Sequence, residues 1–152
     1  MHAITLRQPY ASLVASGVKQ IETRSWSTRH RGPLAIHAAL CTMDVEAALK
    51  CFRRSNLPRG RIVCIVELVD CREMTEDFIK GVPPEEFAVG LYQPGRWAWM
   101  FSETIRVFDP PVPARGALRI WEWNDSCAFI LPASVPAEGS VTRSSAISES
   151  LL

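Results

Sequence analysis

Apolar and polar positions alternate in short runs along most of this chain, and helical spacing interrupts them in two places. "AITLR" (3–7) alternates and predicts a strand. In "QPYASLVASG" (8–17), Tyr10, Leu13 and Val14 fall at i, i+3 and i+4, which predicts a helix with one buried face. Pro9 suits its first turn and Gly17 its stop. "KQIETRSW" (19–26) and "LAIHAA" (34–39) predict two more strands, joined by the basic turn "STRHRGP". A second helix is expected from Thr42 to about Arg54, with Thr42 as N-cap and Asp44 and Glu46 in its first turn. "RIVCIVELVD" (61–70) is apolar on both faces, so it is expected to be the longest strand and central. "TEDF" (75–78) reads as a short capped turn of helix, "RWAWMF" (96–101) and "TIRVF" (104–108) as a hairpin, and "LRIWEW" (118–123) as the last strand. There is no internal repeat. About six strands with helices between them predict an α+β fold, a small closed or nearly closed β-barrel with two or three helices packed outside.

The last stretch breaks this pattern. Residues 128–152 hold seven Ser/Thr, two Pro and three charges without a sustained period. They are expected to form a largely disordered tail behind a domain of residues 1–127, with Phe129, Ile130 and Leu131 able to pin its start. At 152 residues the chain suffices for one domain with one sizeable core. The net charge of +1 excludes a global basic field, so any nucleic-acid site has to be a local patch. No apolar run follows a basic start, and none approaches the roughly 20 residues that cross a bilayer, so neither signal peptide nor membrane span is expected. Five cysteines form no CxxC pair, which suits reduced thiols and a cytoplasmic location.

Charge falls in unexpected places. Alternation along 19–26 puts Gln20, Glu22, Arg24 and Trp26 on one strand face, with Lys19 at the strand entrance. Glu67 interrupts an otherwise apolar run, and a buried carboxylate is costly without a cation. Glu67 is therefore expected to face a polar cavity or to pair with Lys19 or Arg24; a structural ion pair without a ligand is the plain alternative. Basic turns supply Arg29, His30, Arg31 and Arg96, interleaved with Trp97, Trp99, Trp121 and Trp123. Single-stranded nucleic-acid grooves use that mixture for phosphate contacts and base stacking, although tryptophans on strands are commonly core. His37 is expected in the core or at a cavity edge. With Cys41 alone it makes no metal site, and neither metal nor cofactor is expected. GxSxG, P-loop and GxGxxG motifs are absent.

"ITLRQPYASLVASGVKQIETRSW" and "RGPLAIHAA" closely resemble the ASCH domain, the activating-signal-cointegrator homology family of the PUA-like superfamily. Its G-x-K-x-x-E-x-R pattern is met by Gly17, Lys19, Glu22 and Arg24, and "PGRWAWMF" and "PVPARGALRIWEW" resemble its later strands. The resemblance, over about residues 3–124, implies a β-barrel with a cleft between barrel and helices that takes RNA or a nucleotide. A bacterial branch of the superfamily hydrolyses acetylcytidine with a Lys, a Thr three residues later and a distant strand Glu. Lys19 and Glu67 match two of these, whereas Glu22 stands in the place of the Thr.

Three readings follow. In the first, a binding module holds RNA, single-stranded nucleic acid or a nucleotide through Lys19, Glu22, Arg24, Trp26, Arg29, Arg31, His37, Arg96 and Trp97. In the second, a small hydrolase of a modified nucleoside or nucleic acid uses Lys19 as base, held by Glu67, with Glu22 orienting water. In the third, a protein-interaction module uses the aromatics and leaves the charged trio without a role.

Overall fold

The structure is a computed structural model that describes residues 1–42 and 56–124. Its elements are β1 (His2–Gln8), α1 (Tyr10–Ala15), β2 (Ile21–Arg24), β3 (Gly32–Thr42), β4 (Arg61–Glu73), α2 (Glu76–Lys80), α3 (Pro84–Phe87), β5 (Trp97–Pro113) and β6 (Ile120–Glu122). One sheet contains all six strands in the order β2-β5-β4-β3-β1-β6. β1 and β3 run parallel, and every other neighbouring pair is antiparallel. The fold is a sheet-dominated α+β arrangement with short helices. β2 and β6 end the sheet, and no ladder joins them among the described residues.

Period-two alternation divides the core between the two sheet faces. Ile4 and Leu6 of β1, Leu34, Ile36 and Ala38 of β3, and Trp99 and Phe101 of β5 pack with Ala11 and Val14 of α1. On the opposite face Ala3, Ala35, Ile62, Ile65, Phe108 and Trp123 form a second cluster. β4 lies between β5 and β3, and its apolar character on both faces follows from that central place.

α1 has no side-chain cap at Pro9. Gln8, fully buried, does that work: its Oε1 accepts from Ser12 N at 3.1 Å, and its Nε2 donates to Ser12 Oγ and to Pro58 O. The helix stops at Gly17, whose φ of +77° only glycine adopts cheaply. The expected capped turn near Thr75 is α2, with Thr75 Oγ1 accepting from Phe78 N.

Several expectations change. Residues 97–113 form one long strand and not a hairpin, so β5 rather than β4 is the longest. "SET" contains no Gly, Pro or Asn to reverse the chain, and the interruption is absorbed by register shifts along the β4–β5 ladder. Gln8 belongs to β1, β2 is only four residues long, and β6 begins at Ile120. Thr42 ends β3. The rest of the helix expected over 42–54, the boundary at 127 and the tail of 128–152 lie outside the described residues.

Candidate functional site

β2 and β6 stand at opposite ends of the strand order, yet side chains of β2 and of the turn after it reach β1 and the residue before β6. Arg24 Nη2 donates to Thr5 O of β1 at 3.0 Å, and the Arg119 guanidinium lies 5.4 Å from the centre of the Trp26 ring. Side chains thus bridge a seam that no ladder closes among the described residues. A cleft of about 460 Å³ opens along it, lined by Arg7, Tyr10, Glu22, Arg24, Leu118 and Arg119 among others. A smaller polar cavity of about 170 Å³ adjoins it, lined by Lys19, Thr23, Gly90 and Arg96, and sharing Tyr10 and Glu22 with the cleft.

Lys19 is 2% exposed. Its Nζ donates to Ile21 O at 2.6 Å and Val89 O at 2.8 Å, and stands 3.6 Å from Glu86 Oε1 and 3.9 Å from Glu22 Oε2. The ammonium is therefore fully engaged by the protein, as a buried charge requires. Glu86, on α3, is the carboxylate that sequence reasoning missed. It accepts from Gln20 N, Ile21 N and the Tyr92 hydroxyl, so it fixes α3 to the entrance of β2. Burial, and then Glu86, pushes the Tyr92 phenol strongly upward. "PPEEF" carried one signal, a proline-started turn rich in acid, but nothing in it distinguishes a buried Glu86 from a solvated one.

Glu67 is not part of this group. It is half-buried, pairs in register with Pro33 and has no cationic partner among the described residues. The expected pairing with Lys19 or Arg24 is thus replaced by Lys19 with Glu86 and Glu22, and Arg24 with Glu22. Alternation along β4 is broken by register shifts on both its ladders, so position alone did not give the face of Glu67.

Glu22 Oε1 lies 3.1 Å from Arg24 Nε, though not in hydrogen-bond geometry, and Arg24 Nε has no acceptor. Arg96 reaches the smaller cavity and donates through Nη2 to Thr23 O. Tyr10 stands over Lys19, and its hydroxyl is pushed up by burial and by the charge of Glu22. Trp26 is half-buried edge-on to the fully buried Trp99, and Trp97 packs against the same core. Arg29 and Arg31 are exposed and line neither cavity. Arg31 is tied instead to Asp70, whose carboxyl is held low by Arg72 and by the Cys71 amide.

His37 borders a third, mostly apolar cavity of about 490 Å³ next to the cleft. The His37 ring is 3% exposed, shares a hydrogen bond at Nε2 with Ala114 O, and meets Trp121 edge-on. Burial lowers its pKa, partly offset by the Ala114 carbonyl. The loop at Gly116 rests directly on this ring. A Cβ there would fall 2.4 Å from its Cε1 and 2.8 Å from Thr5 Oγ1, so only glycine fits. Among the described residues no group of three His, Cys, Asp or Glu could hold a metal, and no helix is long and apolar enough to cross a membrane.

Residues 4–112 match the model of the ASCH domain. The chain belongs to the ASCH domain family. The match takes in Gly17, Lys19, Glu22 and Arg24, and also Glu86, Arg96 and the whole of the smaller cavity. Human and mouse activating signal cointegrator 1 are each 32% identical to this chain over 80 aligned positions. The alignment covers 45% of this chain and 14% of either relative, so the similarity is to a small part of those proteins.

Proposed function

We propose that this ASCH domain is a binding module for single-stranded nucleic acid, RNA above all, and that the seam between β2, β1 and the 114–119 loop is its groove. The curled sheet is then a barrel opened along that seam. The observation that carries the reading is the concentration of Arg7, Arg24 and Arg119 with the Tyr10 ring in one cleft, on a chain whose net charge is only +1. Guanidinium groups suit phosphates and base planes, and an aromatic ring suits stacking. The volume, about 460 Å³, fits a nucleoside-sized group rather than a duplex.

Hydrolysis has less support. Its base would be Lys19, whose Nζ is already committed to two carbonyls and two carboxylates. Glu67, its expected helper, lies elsewhere. A reducing, cytoplasmic setting belongs to the same proposal: Cys41 and Cys71 carry free thiols, and burial pushes that of Cys64 up to about 12.

The test is fluorescence anisotropy with labelled single-stranded RNA and DNA oligomers, comparing wild type with Arg24→Ala and Arg119→Ala. Binding that weakens in both variants supports the reading. Binding by wild type that both variants retain would move the groove elsewhere. In parallel, turnover of acetylcytidine that Lys19→Ala abolishes would favour the hydrolase.

A further inference from the structure

Glu22 is out of place in a cleft built for phosphate. Its carboxylate repels anions, yet it borders both the larger cleft and the smaller cavity, with its side chain 12% exposed. It is not needed to satisfy Lys19, which is closer to two carbonyls and to Glu86 than to Glu22 at 3.9 Å. Nor does any described residue donate a hydrogen bond to the carboxylate. Glu86 accepts three hydrogen bonds, whereas Glu22 accepts none from the described residues and has only ion contacts. An ionised carboxylate offers about four lone-pair positions and no donor. Largely removed from water and bordering the cleft, this one has acceptor capacity left over for a ligand.

We propose that Glu22 reads a base and that the base is guanine. The inference rests on the single-stranded nucleic-acid reading above and names what that groove selects. Guanine is the base that presents two adjacent N–H donors, N1–H and the N2 amino group, to the two oxygens of a carboxylate. Cytosine and adenine each place one amino group beside a ring nitrogen whose lone pair would oppose the second oxygen. Uracil flanks its single N3–H with two carbonyls, and both would be repelled. The neighbouring group completes the pattern. Of the Arg24 guanidinium, Nη2 is taken by Thr5 O and Nε is buried 3.1 Å from Glu22 Oε1, which leaves Nη1 as the donor for O6, the acceptor beside N1–H in guanine. Tyr10 borders the same space and provides a ring face for the base. Unstacked bases in single strands are commonly read on this edge.

The experiment uses the full chain and U-rich single-stranded RNA nonamers that differ only at one central base: guanine, hypoxanthine (inosine), adenine, cytosine or uracil. Inosine keeps N1–H and O6 but lacks the N2 amino group, so it removes one of the two donors. The guanine oligomer should bind tightest. Loss of one charge-assisted hydrogen bond should weaken the inosine oligomer about tenfold. Glu22→Gln, whose amide accepts on one side and opposes the second donor on the other, should bring guanine and inosine within about twofold of each other. Thermal melting reports whether that variant is folded; if it is not, the wild-type series alone decides. Equal binding of all five oligomers by wild type would overturn the assignment of Glu22 and leave the nucleic-acid reading standing. No binding of any oligomer would overturn both.

Discussion

Lys19 sets the energetics at the residue scale. An ammonium 2% exposed is tolerable because two carbonyls and two carboxylates surround it, and removing it leaves Glu86 without a cation among the described residues, while Glu22 keeps Arg24. Lys19→Met should therefore cost about 3–5 kcal/mol in urea unfolding. In a double-mutant cycle with Glu86→Gln, the losses should be non-additive by at least about 1 kcal/mol, while a cycle with Glu67→Gln should be additive within about 0.5 kcal/mol. Coupling to Glu67 instead would contradict the ion pairs described above. His37 gives the pH dependence. Burial lowers its folded pKa below the ordinary 6.5, so the unfolded chain takes the proton more readily. Its contribution is complete above about pH 6.5 and is lost as pH falls from there toward the lowered folded value. The melting temperature should drop between pH 7.5 and 5.5, and His37→Gln, which can still donate to Ala114 O, should reduce that drop.

At the scale of elements, the loop of residues 114–119 joins the end of β5 to β6 and forms one wall of the cleft. Its seat is the His37 ring, held by the Ala114 carbonyl and the Trp121 edge. Gly116→Ala puts a methyl group 2.4 Å from that ring, so either the ring or the loop has to yield. The expected cost is about 1–3 kcal/mol in thermal or urea unfolding, the range for overpacking. Because Ala117, Leu118 and Arg119 follow directly, oligonucleotide affinity should fall as well. Unchanged stability with unchanged affinity would show that the wall is not seated on His37. On the other side, Glu86 joins α3 to the entrance of β2, and Val89, Gly90 and Leu91 after it border the smaller cavity.

For the whole molecule, a net charge of +1 means that affinity for a polyanion has to arise locally. The slope of log affinity against log salt for single strands is about −0.7 per neutralised phosphate, so a cleft with a few arginines predicts a shallow slope. Arg119→Ala should reduce that slope by about 0.7. Arg31→Ala should leave it unchanged, because Arg31 is bound to Asp70 outside the cleft. A slope that responds to Arg31 and not to Arg119 would place the phosphate track along the 27–33 turn.

Local pattern alone carried much of this architecture. Alternation gave β1 and β3, and a run apolar on both faces gave the central placement of β4; Gly17 and Thr75 marked a helix end and a helix start, because caps and positive-φ turns are decided within a few residues. The spacing from Gly17 to Arg24 put Glu22 and Arg24 on one face, since a strand's period is fixed by its backbone. The partners of those charges were not legible. Glu86 reaches Lys19 from 67 positions away through a turn whose buried side no short-range pattern marks. Arg31 looked as available as Arg24, and only the register that brings Asp70 beside it removed it from the site. Glu67 sits in a run that is apolar on both faces, so no local pattern showed that its carboxylate would pair with Pro33 in register and stay apart from Lys19 and Arg24. Sequence by itself determined where most strands lie and which charges are embedded in them, but not that 97–113 is one strand and no hairpin. Tertiary structure decided which opposite charge each one meets, because ion pairing depends on distances between strands that neighbouring residues do not specify.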